Sequence, residues 1–360
     1  MQDSKNRVTE LLFRDEKSVV SSAAKEFYRG KTILVTGGGG TIGGELSRML
    51  SSLSPKKLII FDIYENNAYE IFSELQHALG EANPSVVEIG SVRDRARLDE
   101  VFSEYKPQIV FHAAAHKHVP LMEHNAIEAI KNNVLGTYNT ADMAEKHGAE
   151  KFVLISTDKA VNPTSVMGAT KRICEHIVSC RADGETTFCS VRFGNVLGSA
   201  GSVVPIFRRQ IENGGPLTVT DKRIVRYFMS VREAAELLLE TGAMARGGEL
   251  FILDMGSAVK IVDLAEKMIE RYSPDREIEI REVGLRPGER LYEELLYSPS
   301  KCLKTTSNKI YIERDLPKTR EEMERIIDIF RDFLINYPKK CNTNDLKRII
   351  GDILPEYSPQ

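Results

Sequence analysis

From residue 31 the chain alternates between two hydrophobic rhythms. Short, unbroken apolar runs rich in β-branched residues recur: KTILVTG (31–37), KLIIFD (57–62), SVVEIGS (85–91), QIVFHAAA (108–115), KFVLIST (151–157) and TTFCSVRFGN (186–195). Each has the length and composition of a strand. Between them lie stretches with apolar residues every three to four positions, such as IGGELSRMLSSL (42–53) and NNAYEIFSELQHALG (66–80), which read as helices. Continuous apolar strands that alternate with helices predict a doubly wound parallel sheet, buried on both faces.

After residue 195 the rhythm loosens, and Gly and Pro punctuate residues 194–216. The organisation this predicts is a helical lead-in over 1–30 and a nucleotide-binding domain over 31–195. A smaller α/β substrate lobe over 196–314, interleaved with that domain, and a helical extension over 315–360 complete it. TREEMERIIDIFRDFLINY (319–337) and TNDLKRIIGDIL (343–354) are amphipathic helices suited to packing or to oligomer contacts.

Composition narrows the function classes. A net charge of -3, with basic residues scattered among acidic ones, offers no electrostatic case for binding nucleic acid or an anionic membrane. The N-terminus has no apolar core of signal-peptide length, and no apolar run reaches the ~20 residues that span a bilayer. Five cysteines (Cys174, Cys180, Cys189, Cys302, Cys341) form no CxxC pair, which suits reduced thiols in a cytoplasmic protein.

TGGGGTIG (36–43) joins the first strand to the first helix. Gly37, Gly40 and Gly43 follow the spacing GxxGxxG, which serves a tight turn, close approach to a pyrophosphate and close helix–strand packing. Thr41 and Ile42 open the helix whose N-terminus faces the phosphates. Asp62 ends the second strand, where an acidic residue accepts from the adenosine ribose. No Arg or Lys follows in DIYENN, so a 2′-phosphate would meet Asp62 and Glu65 unneutralised; the cofactor is NAD rather than NADP. The fold is therefore of Rossmann type. Ala113 and Ala114, in HAAA at the end of the fourth strand, are small enough to underlie a nucleotide. His112, His116, His118 and Glu123 lack HExxH spacing and a cysteine partner, so no metal site is expected.

STDKAVNPTSVMGATK (156–171) carries the chemistry. Thr157, Asp158 and Lys159 put an alcohol, an acid and a base at the C-terminal end of the fifth strand, beside the cleft. Lys171 follows Met167 by one helical turn. Together with HAAAHKHVPLME, NNVLGT, RFGNVLGSAGSVVPIF, RYFM and GLRPGERLYEELL, these motifs resemble the extended short-chain dehydrogenase/reductases. Over about residues 8–312 they look most like the bacterial UDP-N-acetylglucosamine 4,6-dehydratases of polysaccharide and glycan synthesis. The resemblance implies a Thr that bonds near O4 (Thr157), an acid for the C6 hydroxyl (Asp158), a C5 base (Lys159) and a ribose-binding lysine (Lys171). A tyrosine usually stands where this chain has Met167. Methionine there resembles a branch that retains configuration at C5, with Thr157 and water, or a relay to Lys171, taking the C4-hydroxyl proton.

On the substrate side the resemblance points to Lys117, Asn195, Arg226, Arg286 and Glu289 around a UDP-linked N-acetylhexosamine. Ser91 stands where relatives often have Asp against the adenine. Many members carry N-terminal membrane helices; this chain resembles a soluble form or the catalytic portion. A homo-oligomer, at least a dimer through the helices flanking the site, is also implied. A 4-epimerase, a GDP-linked substrate and a catalytically silent nucleotide-sugar binder remain alternatives. An epimerase needs neither Asp158 nor Lys159, and Met167 speaks for the silent binder.

Overall fold

The computed structural model describes residues 20–294, 302–313, 318–336 and 343–359. Most of the lead-in, Cys341, and Leu295 and Leu296 of the GLRPGERLYEELL motif lie outside them.

Each apolar run becomes a strand: β1 Thr32–Thr36, β2 Lys57–Asp62, β3 Ser85–Ile89, β4 Ile109–His112, β5 Lys151–Ile155 and β6 Thr187–Arg192. Two short strands follow, β7 Asn195–Val196 and β8 Leu217–Val219, then β9 Val225–Met229 and β10 Leu250–Leu253. The series closes with β11 Ala258–Lys260, β12 Ile280–Glu282, β13 Cys302–Lys304 and β14 Ile310–Glu313. Nine strands form one sheet in the order β13-β14-β10-β6-β5-β4-β1-β2-β3. Pairing is parallel from β3 to β10 and antiparallel at β14 and β13. β1 pairs with β2 on one side (Ile33↔Leu58) and β4 on the other (Ile33↔Ile109), so the winding reverses there and opens a crevice above the strand ends.

Both faces of this sheet are dry through its central strands, while the edge strands β3 and β13 are partly exposed. Along β1, Leu34 points into one apolar cluster, while Ile33 and Val35 point into the other. The second face is covered by helices Thr41–Ser51 and Val231–Met244, through Leu46, Leu50, Leu237 and Leu238. The first is covered by helices Gly136–Lys146 and Val166–Ser179. Helices Arg320–Asn336 and Thr343–Ile353 then add Met323, Ile327, Phe330, Leu346 and Ile350 to that cluster. Every residue from Val166 to Val178 is consequently buried inside this one chain. The C-terminal helices pack over that helix.

The smaller lobe has its own core of Leu197, Val204, Phe207, Leu217, Phe228, Leu264 and Met268. It is not continuous in sequence, because β10, β13 and β14 leave it to extend the main sheet. Among the described residues no helix is long and apolar enough to cross a membrane.

Candidate active site

The crevice above β1 and β4 is lined by the glycine turn. Gly37 has φ +67°, and a Cβ there would lie 2.7 Å from Ala114 N. Only glycine permits this approach, which seats the turn on the Ala113–Ala114 backbone. A Cβ on Gly43 would lie 2.1 Å from the Gly37 carbonyl oxygen, so the helix start closes directly over the turn. Gly40 is the N-cap of the Thr41–Ser51 helix with no side-chain cap, which leaves the first N–H groups, Thr41 and Ile42 among them, to an outside acceptor. The Asp62 carboxylate accepts from Gly39 N at 2.9 Å and from Tyr64 N at 2.9 Å. It braces the turn and keeps further lone pairs for a ligand. The N-cap of the next helix is Tyr64, so Asp62 is not spent on capping. Turn, free helix N–H groups and terminal carboxylate together fit a dinucleotide.

The histidines divide by environment. His112 is buried between Thr36 Oγ1 (2.7 Å from Nδ1) and Thr137 Oγ1 (3.0 Å from Nε2). Burial, helped by Lys171, pushes its pKa down to about 3, so it is a neutral strut. The backbone of His116 is held at both ends by the Asn133 side chain, which also donates to Thr170 Oγ1. His118 lies on the cleft rim against Gly201, whose Cβ would fall 2.5 Å from its ring. Partial desolvation, then Lys117 and Arg286, hold its imidazole below the ordinary value. Lys117 and Arg286 thus bring positive charge beside a neutral His118, although Arg286 also pairs with Glu289 at 3.3 Å. Glu123 faces elsewhere: it accepts from Val166 N at 2.6 Å and pairs with Lys347. Among the described residues no three His, Cys, Asp or Glu side chains gather as a metal site.

Thr157, Asp158 and Lys159 meet at the end of β5. Residues 158–160 form a 3-10 turn whose N-cap, Thr157, accepts from Lys159 N. Thr157 Oγ1 donates to Asp158 Oδ1 at 2.8 Å, and Lys159 Nζ donates to the same oxygen at 2.9 Å. Asp158 is wholly buried, yet its other oxygen, Oδ2, has no hydrogen-bond partner. A Cβ on Gly194 would lie 3.2 Å from that oxygen, so glycine there leaves it room. An unpartnered buried carboxylate oxygen is costly to hold in a folded chain.

Helix Val166–Ser179 fixes this turn from behind. Its Gly168 lies under the Lys159 carbonyl, where a Cβ would come within 2.2 Å. Lys171 is buried and donates to Ile155 O at 2.7 Å, and burial lowers its pKa. Met167 is 3% exposed and belongs to the apolar core, with no ionisable atom to offer the cleft.

Asn195 Oδ1 accepts from Lys159 Nζ at 3.4 Å, and its Nδ2 donates to Tyr227 O at 3.4 Å. In this conformation Asn195 is therefore tied to the Thr157–Lys159 turn. Arg226 is buried and donates to the Leu291 and Arg290 carbonyls at 3.0 and 2.6 Å. Both residues are held by protein partners, as Arg286 is by Glu289. Ala200 N lies 3.4 Å from Thr41 Oγ1, so the 198–202 loop bridges glycine turn and rim. Three participants gave no sequence signal of their own: His118, Gly168 and Glu293. Glu293 Oε1 lies 3.4 Å from Lys159 Nζ. All three lie in the quoted motifs, but only the folded lobe brings Glu293 to Lys159. The surface groove lined by Arg208, Glu212, Tyr272 and Asp275 shares no residue with this cleft.

Comparison with known proteins agrees with this geometry. Residues 33–315 match the family model described as polysaccharide biosynthesis protein. The chain is 47% identical over 339 residues to the capsular polysaccharide biosynthesis protein CapD of Staphylococcus aureus, covering 93% of this chain and 56% of that protein. It therefore spans little more than half the length of that relative. It is 35% identical to a UDP-N-acetylglucosamine 4,6-dehydratase (inverting) of Campylobacter jejuni, over 75% of this chain and 79% of that one. A UDP-glucose 4-epimerase of Rickettsia rickettsii is 34% identical over 89% of this chain and 95% of that one. Among solved structures, Pen from Bacillus thuringiensis superposes with a TM-score of 0.74 at 35% identity, covering 82% of this chain and 89% of that one. The glycine turn at the β1 switch point, the Thr-Asp-Lys turn after β5 and the matched family model agree: this chain belongs to the polysaccharide biosynthesis protein family, within the extended short-chain dehydrogenase/reductases.

Proposed function

We propose that this chain is an NAD-dependent nucleotide-sugar 4,6-dehydratase that converts UDP-N-acetylglucosamine to the 4-keto-6-deoxy sugar with retention at C5. The observation that carries the reading is the buried Asp158, bonded to Thr157 and Lys159 through one oxygen and unpartnered at the other. A redox enzyme or an epimerase needs no such acid–base pair. When bound at the glycine turn, a nicotinamide nucleotide supplies acceptance of a hydride from C4 and its later return to C6. Asp62 and Glu65 supply the preference for an unphosphorylated ribose.

The chain's own residues then handle protons. Thr157 hydrogen-bonds at O4, and its hydroxyl already leads to Asp158. Lys159 removes the C5 proton, and Asp158 gives a proton to the departing C6 hydroxyl, which leaves as water. This requires a neutral Lys159 and a protonated Asp158. The ion pair, with the proton on Lys159, is the state that remains after elimination. Lys159 then returns a proton to C5 when C6 is reduced, and the C4-hydroxyl proton passes through the Thr157 hydroxyl to Asp158, which restores the working form. Lys171 holds the nicotinamide ribose, and the Lys117–His118–Arg286 rim receives the diphosphate. Met167 serves as packing, and Thr157 takes over the contact to O4 that a tyrosine would make.

The test is incubation with UDP-N-acetylglucosamine in deuterated water, read by mass spectrometry and proton NMR. Loss of one water, a C6 methyl and deuterium at C5 are expected, with coupling constants that report retention. Unchanged mass with inverted C4 would instead establish an epimerase. No reaction with the UDP or GDP sugar would leave a binding protein.

A further inference from the structure

Lys159 is gripped from two sides. Asp158 lies beside it on its own turn, and Glu293 reaches it from the segment that follows β12, with Oε1 3.4 Å from Nζ. The Glu293 side chain is 4% exposed and its oxygen also lies 3.4 Å from Arg226 Nε on β9. The rest of that segment is fastened to the catalytic loop. Arg290 donates to Thr164 Oγ1 at 2.9 Å and to the Val161 carbonyl at 3.2 Å, and Asn162 donates to Glu294 at 2.9 Å. A Cβ on Gly288 would touch Ser165 at 3.0 Å. Residues 288–294 therefore lie as a strap across the loop that carries Asp158 and Lys159.

We propose that Glu293 is a positioning residue that keeps the proton shared by Lys159 and Asp158 on Lys159 until substrate is seated, with Arg226 as its counterweight. This inference rests on the dehydratase reading of Lys159. A second carboxylate 3.4 Å from the ammonium favours the charged amine, and Arg226, on the far side of the same oxygen, opposes it. The charged groups facing Lys159 are Asp158 from its own turn, Glu293 from the strap and Arg226 from β9; Asn195 from β7 is a neutral acceptor. Burial works hardest against charge on Lys159, yet Asp158 and Glu293 outweigh it and hold the amine above its ordinary value. Substrate entering the cleft removes remaining water, which penalises the charged pair and lets the proton cross to Asp158. Glu293 sets how readily that happens.

The experiment titrates Lys159 directly. In the full chain without substrate, the rate of acetylation of Lys159 by acetic anhydride is followed by mass spectrometry as a function of pH. Glu293→Gln removes the charge at nearly constant shape and leaves Arg226 facing Lys159, so the apparent Lys159 pKa falls by about 1–3 units. Glu293→Asp keeps the charge at greater reach and restores part of the shift. With UDP-N-acetylglucosamine in deuterated water, the acidic limb of C5 exchange moves down by the same amount in Glu293→Gln, because a base of lower pKa is neutral at lower pH. An unmoved Lys159 titration in both variants overturns the proposal. A uniform loss of exchange with the limb in place, despite a shifted titration, overturns it too, since Glu293 is then only structural. If Lys159→Ala exchanges C5 like the parent, the dehydratase role of Lys159 fails instead. The titration then still decides whether Glu293 holds its charge.

Discussion

Two buried clusters of charge lie on either side of β5, and they are built alike but finished differently. Behind it, Arg192 donates to both oxygens of Glu175 at 3.1 and 2.7 Å and to Glu313 at 2.7 Å. Glu175 also receives Ser156 Oγ at 2.7 Å and Arg172, which reaches Glu356 in the C-terminal tail. Both oxygens of Glu175 and all three donor nitrogens of Arg192 are matched. In front, Asp158 is equally buried, but one oxygen is left open. Residue type and burial are common to both. Completion distinguishes them: the closed cluster joins β6, β14, the Val166–Ser179 helix and the tail, while the open one awaits a donor.

Replacements should separate the two clusters by what they damage. In the open cluster, Lys159→Ala should lower C5 exchange by about 10²–10⁴-fold, more than the stability lost by leaving Asp158 and Glu293 without their cation explains. Asp158→Asn should stall before loss of the C6 hydroxyl. Full turnover by either variant would break the contrast.

In the closed cluster, Glu175→Ala leaves two guanidinium groups facing each other in the interior and should cost about 3–5 kcal/mol of stability, read by urea unfolding. Its activity per folded molecule should change little. The same carboxylate gives the contrast a pH signature. Burial alone would raise the Glu175 pKa, but Arg192, Arg172 and Ser156 outweigh it and bring it down from 4.5 to about 2. A depressed acid contributes stability that is complete above its unfolded value and is lost as pH falls through the folded one. Stability should therefore decline between about pH 4.5 and 2, and Glu175→Gln should flatten that part of the curve.

Gly168→Ala probes the seam between the clusters. Its Cβ would lie 2.2 Å from the Lys159 carbonyl, so the catalytic turn must shift. A cost of about 1–3 kcal/mol is expected, with a fall in kcat larger than the stability loss explains. The smallest effect is expected from Ser156→Ala, about 1 kcal/mol, because Glu175 keeps both arginines. A larger loss there, or one confined to activity, would mean that the two clusters are coupled through the Ser156–Thr157 backbone.

Much of this molecule is legible along the chain. Five of the six runs from Thr32 to Arg192 are strands because near-continuous apolar segments allow no solvated face, and β3 is the partly exposed edge strand. Gly37 and Gly43 are readable because a strand-to-helix turn of this shape excludes Cβ atoms. Thr157, Asp158 and Lys159 are adjacent in sequence, so their meeting needed only the strand end before them. Other features had no local sign. Arg192 and Glu313 are separated by most of the lobe, and Glu175 reads as an ordinary helix acid. Asn195 and Arg226, expected on the substrate, are taken up by Lys159, Tyr227 and the 290–291 carbonyls.

The amino-acid order by itself determined the sheet, the glycine turn and the Thr-Asp-Lys turn. Each depends on periodicity, steric exclusion or neighbours within a few residues. Only the tertiary structure decided which charges are closed and which stay open, that Glu293 reaches Lys159, and that the C-terminal helices pack over helix Val166–Ser179. Those outcomes depend on which distant segments share a low-dielectric interior. There the strength of a charge is set by its neighbours in space, whatever their distance along the chain.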